Sequence, residues 1–226
     1  LAGQFRRGRM KVCIIGSSHA AMVARAQRAA APELNDDWRY FVVPSGYFGG
    51  QGLSHVGYNP RFQVLTGFPT STPGILRNLR IADHDAFVLI GGQTSPVENA
   101  RLSTRALSAG FRRAAVDDLL SHNNNARLFG LIRQVSEAPV LAATCLYYDK
   151  GKPVPARDIL NAERAVATFW GTRGVTFLPQ PRETASFTRA VNWPCLIGGG
   201  NNHLKPEFAG LVFAQIRDAL AVRSSG

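Results

Sequence analysis

Residues 10–21 read MKVCIIGSSHAA, an apolar run that ends in a Gly-Ser-Ser-His turn and continues directly into helix-forming alanines. The pattern predicts a buried strand over residues 11–15 and a helix over residues 20–30. A strand, a tight turn and a helix in this order form the first unit of a parallel sheet covered by helices. Ser18 would then lie at or near a helix N-terminus, where free backbone N–H groups stabilise negative charge.

Further short apolar segments alternate with helical patterns along the chain. Strands are predicted at residues 40–43, 86–90, 139–145 and 174–178, and helical segments at 97–137 (broken at 121–125), 156–170 and 206–222. After the second strand, the glycine-rich residues 44–60 have no helical period and predict a long functional loop. Five strands with intervening helices predict an α/β fold, a three-layer sandwich with a doubly wound, five-stranded parallel sheet of flavodoxin-like order.

The 226 residues, 45% of them hydrophobic, are enough to bury one sizeable core. We therefore expect one domain over residues 10–226. Residues 1–9 carry three arginines and form a basic extension that is expected to be flexible. No apolar run is long enough to span a membrane, so a soluble protein is predicted.

The formal net charge is +11. A basic surface favours anionic partners. The basic residues are nevertheless scattered along the chain, without an interleaved aromatic motif, which argues against specific nucleic-acid binding. The oligomeric state cannot be predicted from these features.

The three cysteines, Cys13, Cys145 and Cys195, include no CxxC pair. An odd number in a chain of this size favours reduced, packed thiols and a cytoplasmic location. The five histidines lie far apart and show no metal-ligand spacing, so neither a metal nor another cofactor is expected.

The serines of the GSSH turn have two interpretations. Taken alone, the turn favours a serine that only caps the helix, a common role for this residue. A nucleophilic serine needs a base from elsewhere in the chain. His203 is such a candidate, because it lies in NNHLKPEFAG, residues 201–210, predicted to be a polar loop directly before the last helix.

These residues resemble the motifs of the SGNH/GDSL hydrolases, whose members carry a Gly-Asp-Ser turn after the first strand and an Asp-x-x-His element before the last helix. The resemblance covers roughly residues 10–222 and rests on the order and spacing of short motifs. It implies Ser18 as nucleophile and His203 as base. It also implies an oxyanion hole made by the Ser18 N–H, a glycine of the loop after the second strand (Gly46 or Gly49) and Gln93, where the family has asparagine.

The sequence departs from the family pattern at three positions. Ser17 replaces the acidic residue of the turn, Gln93 replaces asparagine, and Gly200 stands where the triad aspartate is expected. Without that aspartate, Asn201, Asn202 or a backbone carbonyl would have to orient His203, leaving a Ser-His dyad.

Several neighbouring side chains are candidates for substrate binding. They are His19, Tyr47, His55, Thr94 and Asn202. His19 is equally consistent with a solvent-facing position in the first helical turn, and the aromatic residues of the glycine-rich loop with covering the core.

The motifs together favour a serine esterase or O-acyltransferase acting on an O-acyl, for example O-acetyl, ester of a carbohydrate or small molecule. The alternatives are a non-catalytic domain of the same fold that binds a glycan or a partner protein, and a nucleotide-binding protein whose GSSH turn holds a phosphate. The sequence has no GxGxxG pattern, which argues against the nucleotide-binding alternative.

Overall fold

A computed structural model describes residues 10–34, 37–43, 52–67, 75–91, 96–103, 108–144, 154–186, 195–198 and 201–223. The strands are β1 (Val12–Gly16), β2 (Trp38–Val42), β3 (Gly57–Asn59), β4 (Val64–Thr66), β5 (Asn78–Arg80), β6 (Ala86–Ile90), β7 (Val140–Ala143), β8 (Thr176–Leu178), β9 (Leu196–Gly198) and β10 (Asn201–Leu204). The helices are α1 (Ser18–Ala30), α2 (Pro96–Ser103), α3 (Ala109–Ser121), α4 (Asn124–Arg133), α5 (Ala156–Gly171) and α6 (Pro206–Arg223).

The central sheet is parallel and has the strand order β2-β1-β6-β7-β8. Its three inner strands, β1, β6 and β7, are short apolar runs, as expected for strands buried on both faces. The order reverses at β1, whose two neighbours are β2 and β6. Ligands of doubly wound sheets bind at the carboxyl ends of strands beside such a reversal, which is where the GSSH turn lies.

Successive residues of the central strands face opposite sides of the sheet. Val12 and Ile14 pack in a cluster with α1 and α6, whereas Cys13 and Ile15 pack in a cluster with α4 and α5. The three layers are therefore α1 and α6, the sheet, and the helices α3, α4 and α5. The predicted three-layer α/β sandwich is confirmed.

The region predicted to hold two helices contains three. The predicted break at residues 121–125 is present, and Asn123 caps α4 by accepting a hydrogen bond from the Ala126 N–H at 2.8 Å. The additional division lies between α2 and α3, where Ser108 caps α3 by accepting from the Phe111 N–H.

Two small antiparallel sheets were not predicted. β3, β4 and β5 form one of them, and β3 lies within the segment predicted to be loop. β9 and β10 form the other, so the prediction that His203 lies in a loop is wrong: it lies on β10. These strands have only three or four residues each, and several of the residues are polar. The alternation of apolar and polar residues is therefore too short to predict them.

Candidate active site

The last residue of β1, directly before the turn into α1, must be glycine. A Cβ on Gly16 would lie 2.5 Å from both Cγ2 and the carbonyl oxygen of Ile90, and 2.9 Å from Cβ of Ala20. Contacts below 3 Å with backbone atoms cannot be relieved by a rotamer change. Gly16 thus lets the start of α1 approach the end of β6 closely, where the ends of β1 and β6 lie side by side.

Ser17 and Ser18 occupy different positions at the start of α1. Ser17 is the N-cap residue, and its carbonyl accepts from the Ala20 N–H at 3.0 Å. Its side chain makes no capping hydrogen bond within the described part of the chain. Ser18 is the first residue of the helix, where the backbone N–H groups have no intrahelical partner and the helix dipole favours negative charge.

His203 reaches the start of α1. Its ring contacts the ring of His19, the residue directly after Ser18, with centroids 5.6 Å apart and the planes nearly perpendicular. β10 pairs with β9 through Asn201 and Leu204, and the register is irregular between those two residues, where His203 lies. Buried Leu204 anchors this hairpin in the cluster formed with α1 and α6. The structure therefore brings together His19 and His203, which are 184 residues apart in sequence, and Ser18 directly precedes His19 in the chain.

Burial and neighbouring charge keep both imidazoles neutral. Burial, and secondarily the proximity of His203, lowers the pKa of His19 to about 4. Burial also lowers the pKa of His203, and the positive charge of Arg25 lowers it further. A neutral imidazole is the form that accepts a proton, so His203 is in the state that a general base requires at neutral pH.

Gly91 and Asn125 complete the described part of the site, and sequence reasoning did not single out Asn125. Gly91 follows β6 with a φ of +77°, and a Cβ placed on it would lie 3.7 Å from Ser17 Oγ and 3.9 Å from His19 Nδ1. Asn125 is fully buried at the start of α4 and donates from Nδ2 to the Gly91 carbonyl at 2.7 Å. Asn125 therefore fixes the end of β6 beside Ser17 and His19. The cluster of asparagines at residues 123–125 was a signal, but it was interpreted only as a helix break.

The remaining predicted site residues are placed less fully. His55 is exposed at the end of a short 3-10 turn, Gly52–His55. The Leu53 carbonyl within this turn and the Val56 carbonyl directly after it accept hydrogen bonds from the Arg127 guanidinium. For Asn202 the structure describes only the backbone, in β10. The other candidates lie outside the described residues: Gly46, Tyr47, Gly49, Gln93, Thr94 and Gly200.

Other chemistries find little support in the described residues. They contain no group of three or more His, Cys, Asp or Glu side chains placed to hold a metal ion. Cys13 and Cys195 are buried, and burial raises the pKa of both thiols, which disfavours the reactive thiolate. Of the helices in the described ranges, none has the length and apolar character needed to cross a membrane.

Comparisons with known proteins add information on the fold. No family model and no curated protein sequence matches the chain. Among solved structures, the chain is similar to a Bacteroides fragilis protein described as an acylhydrolase, with a TM-score of 0.56 and 13% identity over 96% of this chain and 89% of that one. It is also similar to a GDSL-like lipase from Bacteroides thetaiotaomicron, with a TM-score of 0.51 and 15% identity over 99% and 93% of the two chains.

Proposed function

We propose that this chain, which has the fold of the SGNH/GDSL hydrolases, is a serine esterase or O-acyltransferase that uses Ser18 as nucleophile and His203 as base. The contact of the His203 ring with His19, directly after Ser18, is the observation that carries the proposal. This contact supports the proposal because it places an imidazole from the far end of the chain against the residue that follows a serine at a helix N-terminus, and a nucleophilic serine needs such a base nearby.

The mechanism follows from these positions. Ser18 Oγ attacks the carbonyl carbon of the ester, and His203 accepts the Ser18 proton. The Ser18 N–H, at the positive end of α1, stabilises the oxyanion. Gly46 or Gly49 and Gln93 are the further donors that the family resemblance implies. The intermediate collapses to an acyl-serine, and the leaving alcohol takes the proton from His203.

The second half of the reaction restores the enzyme. Water or an acceptor hydroxyl gives its proton to His203 and attacks the acyl carbonyl, which releases a carboxylic acid or a new ester and regenerates the Ser18 hydroxyl. We propose an O-acyl ester of a carbohydrate or other small molecule as substrate. His19, Tyr47, His55, Thr94 and Asn202 are the proposed substrate-binding residues.

Turnover of 4-nitrophenyl acetate tests the roles of the two residues. Ser18→Ala and His203→Ala should each lower kcat/KM by about a thousandfold or more, because the dyad acts as a unit. His122→Ala is the matched control, since His122 is an exposed imidazole at the end of α3 and such groups alone cleave activated esters slowly. Full activity of either dyad variant would contradict the proposal.

The non-catalytic alternative has its own support in Gly200, which stands where an aspartate would orient His203. A protein of this kind would bind an oligosaccharide without cleaving an ester. Wild-type turnover no faster than that of Ser18→Ala, together with saturable oligosaccharide binding, would favour this function over the esterase.

A further inference from the structure

A groove with apolar walls lies between α3 and α5. The groove is open to solvent and has a volume of about 800 Å³, and Val116, Leu120 and Phe169 are among the side chains that line it. Pockets that bind small molecules typically have volumes of about 300–1,000 Å³. The groove is therefore large enough for an apolar ligand.

A smaller cavity with more polar walls continues the groove towards α2. It has a volume of about 430 Å³ and shares Arg112, Val116 and Ala165 with the larger cavity. Asn99 of α2 lines it, and the Asn99 side chain is almost fully buried. Within the described residues, neither its amide nitrogen nor its amide oxygen has a hydrogen-bond partner. A buried amide without a partner is costly, so Asn99 indicates that a polar ligand group belongs at this end.

The charge around the two cavities is positive on balance. The charged side chains that line them are Arg112, Arg113, Arg157, Arg173, Asp117 and Asp158. The Arg173 guanidinium is held in place, because it lies 3.6 Å from the centre of the Phe169 ring and donates to the Phe169 carbonyl at 2.9 Å. Guanidinium groups bind carboxylates through paired hydrogen bonds. In the smaller cavity, Arg112 and Arg157 outnumber Asp158, whose Oδ1 lies 3.9 Å from Arg157 Nε, so this end favours an anion.

We infer that this groove binds a free long-chain fatty acid, with the hydrocarbon chain along Val116, Leu120 and Phe169 and the carboxylate between Arg112 and the Asn99 amide. The two adjacent cavities, which share three lining residues, match the two parts of such a molecule, an extended apolar chain and one anionic head group. The site uses no residue of the Ser18–His203 centre, and it holds whether or not that centre hydrolyses esters.

Calorimetric titration with dodecanoate, below its micelle concentration, tests the inference. Wild-type protein should bind one molecule per chain, whereas dodecanol should bind at least about tenfold more weakly because it lacks the charge. Ala165→Trp places a large ring at the junction of the two cavities and should reduce binding by at least about tenfold. Ala167→Trp is the matched control, because Ala167 is also exposed on α5 but lines neither cavity.

A second pair of variants tests the carboxylate position. Arg112→Gln should weaken dodecanoate binding by about tenfold and leave dodecanol binding unchanged. Arg164→Gln is the control and should change the binding of neither ligand, because Arg164 lies on α5 and lines neither cavity. Circular dichroism verifies that each variant is folded. Equal binding by wild type and Ala165→Trp would overturn the inference, since the ligand would then lie elsewhere, for example at Ser18. Absence of dodecanoate binding, with a wild-type dimer that Ala165→Trp dissociates, would assign the groove to a second copy of the chain instead.

Discussion

The helices on the two faces of the sheet pack with different tightness. The proposed catalytic residues lie on the tightly packed face, and the proposed ligand groove lies on the other. On the α1 and α6 face, small residues allow close approach: Gly16 has no space for a Cβ, and Ala20 lies directly beside it. On the opposite face, α3 and α5 leave a cavity of about 800 Å³ between them. Catalytic groups must be fixed to within fractions of an ångström, whereas a ligand groove needs space.

Replacing one glycine with alanine in each of the two regions tests whether their packing differs as described. Gly16→Ala should lower the free energy of unfolding by about 3 kcal/mol, because its Cβ would meet the Ile90 backbone. Gly110→Ala in α3 meets nothing within 4 Å and should raise it by up to about 1 kcal/mol through helix propensity. Urea unfolding of the two variants measures both effects. Equal stabilities would contradict the close approach of α1 to β6.

The lowered pKa of His19 makes the stability of the folded chain sensitive to acid. The folded protein holds this pKa at about 4, below its ordinary value of 6.5, so the unfolded chain binds the proton more readily. The stability contributed by neutral His19 is fully present above pH 6.5 and is lost as the pH falls to 4, by up to about 3 kcal/mol. The free energy of unfolding should therefore fall less steeply over this range in His19→Asn than in wild type. His122→Asn, at an exposed histidine at the end of α3, is the matched control for removing an imidazole.

Variants at Asn125 and Asn123 distinguish a contribution to the candidate site from a contribution to the stability of α4. Both are buried at the start of α4, but only Asn125 donates to Gly91, while Asn123 caps the helix. Each change to alanine should cost about 1 kcal/mol of stability. Asn125→Ala should in addition lower kcat of arylester turnover by about tenfold, because the end of β6 beside Ser17 and His19 loses its anchor. Equal kcat in the two variants would show that Asn125 has only a structural role.

The sequence was most informative where one local pattern determines the structure. Residues 86–90 were predicted as β6 without error, and residues 11–15 differ from β1 by one position, because both are apolar runs bounded by turn residues. The predicted doubly wound sheet of five parallel strands is also present, with its strand order reversing at β1. The GSSH turn was correctly predicted to lead into a helix, which begins at Ser18, two residues before the predicted start at residue 20.

Features that depend on distant contacts were not predicted. The hairpin that carries His203 consists of strands of three and four residues, which have no recognisable period. The hydrogen bond from Asn125 to Gly91 joins positions 34 residues apart, and nothing in the local sequence of either residue indicates it. The neutral state of His19 likewise depends on burial and on His203, which only the folded chain provides.

Covalent labelling with a fluorophosphonate probe tests the central claim most directly, since the probe reacts with serines activated by a base. We predict one adduct per wild-type chain, located on Ser18 by mass spectrometry of the peptide that contains both turn serines. Labelling should persist in Ser17→Ala and be lost in Ser18→Ala and in His203→Ala. An adduct on Ser17, or labelling of the wild-type protein no faster than that of the His203→Ala variant, would contradict the assignment.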